Sequence, residues 1–248
     1  MKICKLLLFL LPLCLLLTAC KDEKSSSKTI SETVTVPVTT KPLDTSKAEN
    51  CAITAREETF TCTDKNKNTV ETVYRIPALT FDTPDAVAIN SEISKKYEGD
   101  FAAAKEASEK NKYTPYDSID YNVFLNDDIV SVLIISENTG HNLSYSVYNY
   151  NKTTGKRLDN KGLLSYLQRD YDQTLAKLKK ALEDDYTSKF KYENFPKDYY
   201  NQMELTVGDE AVAQSQLYLN GDADLYAVCV EHAGVGSGEF SVLISLAD

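Results

Sequence analysis

The chain has no tryptophan, two histidines, two methionines and only nine glycines among 248 residues. Each scarcity removes a class of chemistry. The two histidines, His141 and His232, stand too far apart in sequence to form the H-x-x-x-H half of a zinc site, and no C-x-x-C pair supplies further ligands. Gly234, Gly236 and Gly238, in GVGSG, lack the lysine and the following helix of a phosphate-binding loop. Basic charge is also in deficit, 27 Lys+Arg against 37 Asp+Glu, and a net charge of -10 argues against nucleic acid as a partner. No metal and no cofactor is expected. Aromatic contact surface falls to tyrosine, with sixteen residues.

The chain opens on a long apolar run. Lys2 and Lys5 precede it, and it stops at Leu17-Thr18-Ala19-Cys20, the layout of an export signal too short to be preferred as a permanent span. The ending resembles the bacterial lipobox, which implies cleavage before Cys20 and attachment of lipid to its thiol. Several acyl chains would then hold the protein on the cell membrane, since one alone binds only marginally. Residues 21–50 are rich in Lys, Ser, Thr, Glu and Pro and have no aromatic residue. Such a segment buries too little apolar surface to order itself and reads as a tether. Its five lysines and five acids cancel, so removing Lys2 and Lys5 leaves the rest at -10 - 2 = -12. That acidity suits a basic partner, and it equally suits plain solubility.

Three cysteines remain beyond the anchor. Cys51 and Cys62 flank ten residues that read as strand and turn, and a disulfide between them is expected to staple the start of the domain. Cys229 is then a buried thiol on a strand, or the partner of one of the other two; spacing does not choose.

Periodicity divides the exported part into an amino-terminal unit, 51–160, and a carboxy-terminal unit, 161–248. CAITAREETFTCT and TVETVYRIPAL flank a DKNKN turn as a hairpin. Thr83 caps a helix that begins at Pro84, with Ile89, Ile93, Tyr97 and Phe101 recurring every four residues as its buried stripe. YNVFLNDDIVSVLIISENTG and HNLSYSVYNYNKTTGKRL follow as beta segments. Leu163 to Tyr186 has apolar residues at spacings of three and four and predicts a long helix capped by Asp159 or Asn160. A hairpin around Asn220-Gly221-Asp222 and a last strand, GEFSVLISL, complete the order. The expected fold is α+β, antiparallel sheets covered by two main helices in two small adjoining units.

Catalytic motifs are incomplete. LTFDTP, Leu79 to Pro84, resembles the TFDDGP motif of carbohydrate deacetylases, but Thr83 replaces the second acid and is better used as a helix cap. Cys229 and His232, three apart on a strand, point to opposite faces and cannot act as thiol and base. Asp127 with Asp128, and Asp222 with Asp224, sit where hairpin turns are expected, and turns select aspartate for backbone reasons.

From Tyr74 to Leu246, YRIPAL, FAAAKEASEK, the run YNVFLNDDIVSVLIISENTGHNLSYSVYNYNKTTGKRL, GLLSYL and the final strand pair together resemble the exported domains of RsiV-like anti-sigma proteins. They also resemble the amino-terminal part of PdaC-like peptidoglycan deacetylases, the DUF4163 plus DUF3298 type. Members of that type place a histidine in the turn before an aromatic strand, and Gly140-His141-Asn142 matches it without the small intervening residue. Some RsiV-like members bind lysozyme outside the cell. The resemblance implies a binding module, not an enzyme, with a basic protein such as a lysozyme-like wall hydrolase, or peptidoglycan fragments, as its partner. The alternative is a hydrolase or deacetylase-related envelope enzyme. The expected recognition surface joins His141, Tyr148, Tyr150, Tyr199 and Tyr200, tyrosine supplying both apolar area and a hydroxyl.

Overall fold

In the computed structural model, which describes residues 48, 50–138, 142–189, 202–232 and 238–247, the first alternating stretch folds as a hairpin. Its strands are β1 (Ala52–Thr63) and β2 (Thr69–Leu79). Asp64 Oδ1 closes the turn by accepting the amides of Asn66 and Asn68, each at 2.8 Å. Helix α1 (Pro84–Glu109) begins where the sequence places it. Thr83 Oγ1 accepts the Ala86 amide at 3.3 Å, and Pro84 occupies the first turn.

After α1 come β3 (Tyr116–Asn126), β4 (Ile129–Asn138), β5 (Leu143–Asn151) and β6 (Lys156–Leu158), and the six strands form one sheet in sequence order. Neighbours are antiparallel except β2 and β3, which run parallel because α1 carries the chain back along the sheet. Ile89, Ile93, Tyr97 and Phe101 of α1 are buried with Tyr74, Val130, Val132, Ile134, Tyr148 and Tyr150 on one sheet face. The near-continuous apolar run of β4 is explained by cover on both sides. Its alternate residue Leu133 packs on the opposite face with Phe124 and Val147, against Tyr218 and Val228.

Those last two residues belong to a second sheet. Helices α2 (Asn160–Tyr166), α3 (Tyr171–Lys189), α4 (Met203–Val207) and α5 (Asp209–Gln214) lead to β7 (Gln216–Leu219), β8 (Leu225–His232) and β9 (Glu239–Ser245), an antiparallel sheet in that order. The periodicity from Leu163 to Tyr186 predicts one helix, and the structure makes two. The chain turns at Gln168, φ +55°, and restarts when Asp170 Oδ1 accepts the Gln173 amide at 2.8 Å. Asp159 caps α2 by accepting the Gly162 amide at 2.7 Å.

Along β8, Tyr226 and Val228 face the first sheet, while Leu225, Ala227 and Cys229 pack against Leu163, Leu164, Leu178 and Leu182 of α2 and α3. Two adjoining sheet-and-helix units therefore stack as helix, sheet, sheet, helices. The Asn149 side chain joins the sheets: its Nδ2 donates to the Leu217 carbonyl at 2.7 Å, while its Oδ1 accepts Ser131 Oγ of the neighbouring strand at 2.7 Å.

The expected disulfide does not form. Cys51, Cys62 and Cys229 are buried free thiols. Cys51 precedes a strand whose first residue pairs with Leu79, while Cys62 pairs with Val70 at the other end of the hairpin. A rise of about 3.3 Å per residue separates the two by roughly 36 Å, far beyond the span of about 6 Å that a bridge covers.

Phe101 lies edge-on to Tyr74 at 5.6 Å and to Phe60 at 6.2 Å, and the Arg56 guanidinium covers its ring at 3.9 Å. Phe101→Ala is expected to cost about 3–5 kcal/mol in urea unfolding. Val87→Ala, on the exposed face of the same helix, is expected to change stability by about 0.5 kcal/mol or less.

Candidate functional site

Of the residues singled out in the sequence, Cys20, His141, Tyr199 and Tyr200 lie outside the described residues, as does the tether apart from Ala48 and Asn50. Tyr148 and Tyr150 are described and do not offer themselves to a partner. They are 4% and 0% exposed, on the face of β5 that α1 covers. The Tyr150 hydroxyl lies 2.9 Å from Thr83 Oγ1 at the α1 cap, and its ring stacks on Phe81 at 4.9 Å. Both faces of β5 are used internally, because the second sheet covers the face that carries Val147.

A different group of residues meets at the far end of β8. Strand β7 begins at Gln216, opposite Val228. Beyond that point β8 runs on as Cys229, Val230, Glu231 and His232 with α4 and α5 beside it, held where the His232 amide donates to Thr206 Oγ1 at 2.9 Å. The elbow between the two helices needs Gly208, since a Cβ there would meet the Glu204 carbonyl oxygen at 2.5 Å. A cleft of about 500 Å³ opens between helices and strand, lined by Glu204, Leu205, Asp209, Glu210, Val230 and His232 among others.

Leu205 and Val230 are 57% and 44% exposed and give the cleft an apolar surface. Its acids are unequally engaged. Asp209 holds Lys179 at 2.6 Å, which keeps the Asp209 carboxyl below its ordinary range. His232 Nδ1 lies 3.3 Å from Glu239 Oε1. Among the described residues, no ion pair engages Glu204 or Glu210. The site is thus negative and partly apolar, suited to a cationic group on an apolar stem. Its helical residues come from MELTVGDEAVAQ, a stretch with neither motif nor strong periodicity.

Cys229 and His232 do face opposite sides of β8, and burial pushes the Cys229 thiol up to about 11, the wrong direction for a nucleophile. Among the described residues, no group of three or more His, Cys, Asp or Glu side chains is placed to hold a metal ion. A second cleft, of about 450 Å³, lies on the other side of α5 and carries Arg157, Lys161 and Tyr171. Its Arg157 is engaged by Glu92 at 2.5 Å.

Glu231 was not singled out in the sequence. It faces α3, is 0% exposed, and holds Lys189 Nζ at 3.1 Å through Oε2, while among the described residues Oε1 has no hydrogen-bond partner. Lys189 also pairs with Asp185 at 2.5 Å. Burial pushes the Glu231 carboxyl up to about 7, with the Asp185 carboxyl raising it further and Lys189 opposing both.

Comparison with solved structures finds similar chains. The chain is similar to a solved DUF3298-family protein. That crystal structure, of a family member from Bacteroides fragilis, shares 13% identity, covers 79% of this chain and 89% of its own, and superposes with a TM-score of 0.36. The family is of the type that the sequence resembles, and the functional reading below rests on this chain's own residues. No family model and no curated protein matches the chain.

The buried acid has a measurable signature. A carboxyl whose pKa is raised on folding holds its proton where the unfolded chain has released it, so stability falls as pH rises from about 4.5 to about 7, and levels off above. Glu231→Gln is expected to flatten that limb in denaturant titrations run from pH 4 to pH 8, matching the parent near pH 4 and exceeding it at pH 8. An unchanged slope would show that Glu231 is ionised throughout.

Proposed function

We propose that the protein is an exported lipoprotein, anchored through Cys20, whose surface domain binds a basic protein such as a lysozyme-like wall hydrolase without itself catalysing a reaction. The observation that carries this reading is the cleft beside β8, where Glu204 and Glu210 flank exposed Leu205 and Val230. Separated carboxylates raise the rate of encounter with a cationic surface, and the apolar residues supply contact energy once water leaves. The negative balance of the exported part acts in the same direction over about one Debye length, roughly 8 Å at physiological salt. The second reading, binding of peptidoglycan fragments, is favoured by Arg157, Lys161 and Tyr171 in the other cleft, since wall peptides bear carboxylates.

Calorimetry with a basic wall hydrolase and with soluble muropeptides, each at two salt concentrations, separates the readings. Heat is expected with the hydrolase, weakening as salt rises. The Glu204→Gln/Glu210→Gln double variant is expected to bind about five- to tenfold more weakly, corresponding to roughly 1 kcal/mol. Heat with muropeptides alone would overturn the basic-protein reading.

A further inference from the structure

Among the described residues, the cleft beside β8 contains open main chain as well as side chains. The Asp224 carbonyl accepts the Asn220 amide at 3.0 Å on the β7 side, and the Leu225 carbonyl accepts the Leu246 amide at 2.8 Å on the β9 side. Main-chain groups in a strand alternate sides residue by residue. Tyr226, Val228, Val230 and His232 therefore all direct N–H and C=O toward the β7 side. Tyr226 and Val228 have β7 opposite them, at Tyr218 and Gln216. The His232 amide reaches Thr206 Oγ1, and its carbonyl accepts the Tyr186 hydroxyl at 3.2 Å. Val230 falls between Val228, paired with β7, and the capped His232, one step past the start of β7, where the chain before Gln216 belongs to α5. Among the described residues, no hydrogen bond reaches the Val230 N–H or C=O from that side.

An open edge position is ordinarily blunted by lysine, proline or a bulge. Val228 to His232, VCVEH, has no lysine, proline or bulge; its one acid, Glu231, points inward to α3, helices α4 and α5 stand beside the edge, and β8 pairs in unbroken register with β9 through the same residues. The gap coincides with the acidic and apolar cleft, so whatever satisfies the Val230 main chain also meets Glu204, Glu210 and Leu205.

We propose that this cleft takes an extended basic segment of a partner protein, which pairs as a short added strand with the N–H and C=O of Val230 and lays lysine or arginine side chains toward Glu204 and Glu210. Strand addition fits because main-chain bonds supply affinity irrespective of sequence, while alternate side chains find separate surroundings. The cleft offers such side chains both the carboxylates of Glu204 and Glu210 and the apolar surface of Leu205 and Val230. The inference rests on the basic-partner reading above and adds the form that the recognised segment takes.

The test uses the full chain in a mild detergent, labelled with 15N at valine, and three capped peptides: Lys-Val-Lys-Val-Lys, its glutamate counterpart Glu-Val-Glu-Val-Glu, and the lysine peptide N-methylated at its central residue. The lysine peptide is expected to shift the Val230 amide resonance and slow its hydrogen exchange. N-methylation, which removes one main-chain donor, is expected to weaken binding tenfold or more, and the glutamate peptide should not bind. Binding of the lysine peptide that leaves Val230 unmoved and tolerates N-methylation would overturn strand addition while leaving an acidic recognition surface. Failure of both the lysine peptide and a basic protein to bind would overturn the functional reading as well. Concentration-dependent dimerisation that protects Val230 without peptide would assign the edge to a second copy of the chain and overturn the proposal.

Discussion

The outer edge of β7 is closed by side chains, and the rest of the carboxy-terminal unit depends on that closure. Asn149 Nδ2 donates to the Leu217 carbonyl, Asn160 Oδ1 accepts the Leu217 amide at 3.0 Å, and Ser131 Oγ accepts the Leu219 amide at 3.3 Å. Asn126 adds a bond to the Asn220 carbonyl at 2.8 Å. These groups occupy the main-chain positions that a further strand would take, and they fasten the second sheet to the first. Losing one such buried partner costs about 1–3 kcal/mol, because the group left behind is neither hydrated nor paired. Strand β7 thereby stays four residues long, and the last turn of β8 is left with helices α4 and α5 alongside it.

The same geometry explains why acids and exposed apolar residues gather in one place. Helices that abut a strand end leave a wedge that backbone cannot fill, and Gly208 lets the two short helices fold close to one another. Their first turns are acidic, Glu204 in α4 and Asp209 with Glu210 in α5, as the partial positive charge at a helix start favours. On the opposite side of β8, the buried Glu231 and the partly exposed Lys189 and Asp185 tie the end of α3 to the strand. Desolvation of the Glu231 carboxylate offsets much of this attraction, so the set contributes more to fixing the arrangement than to net stability.

Much of the fold was legible because its signals are local. Thr83-Pro84 announced α1, the four-residue recurrence from Ile89 to Phe101 gave its buried face, and of the two cap candidates, Asp159 and Asn160, the structure uses Asp159. The break at Gln168 was missed because the apolar spacing continues through it, although Asp170, whose carboxylate caps the second helix, lies inside the same stretch. Tyr148 and Tyr150 show the limit of reading a strand alone. Large side chains on both faces fit either a partner or a second layer, and the choice depended on α1 and on a sheet some seventy residues away in sequence. The disulfide expectation failed for a related reason: Cys51 and Cys62 are near in sequence, but an extended strand holds its ends apart. The cleft had no sequence signal, since it arises from where β7 starts and not from any motif.

The central claim is that recognition occurs at the end of β8, between α4, α5 and the open strand edge. Hydrogen exchange of the chain in complex with a basic wall hydrolase tests it most directly, because it reports where backbone becomes protected without altering any residue. Protection confined to 203–214 and 228–232, with α1 unchanged, is the predicted result. Protection along the exposed face of α1, or around Arg157 and Lys161 alone, would contradict it.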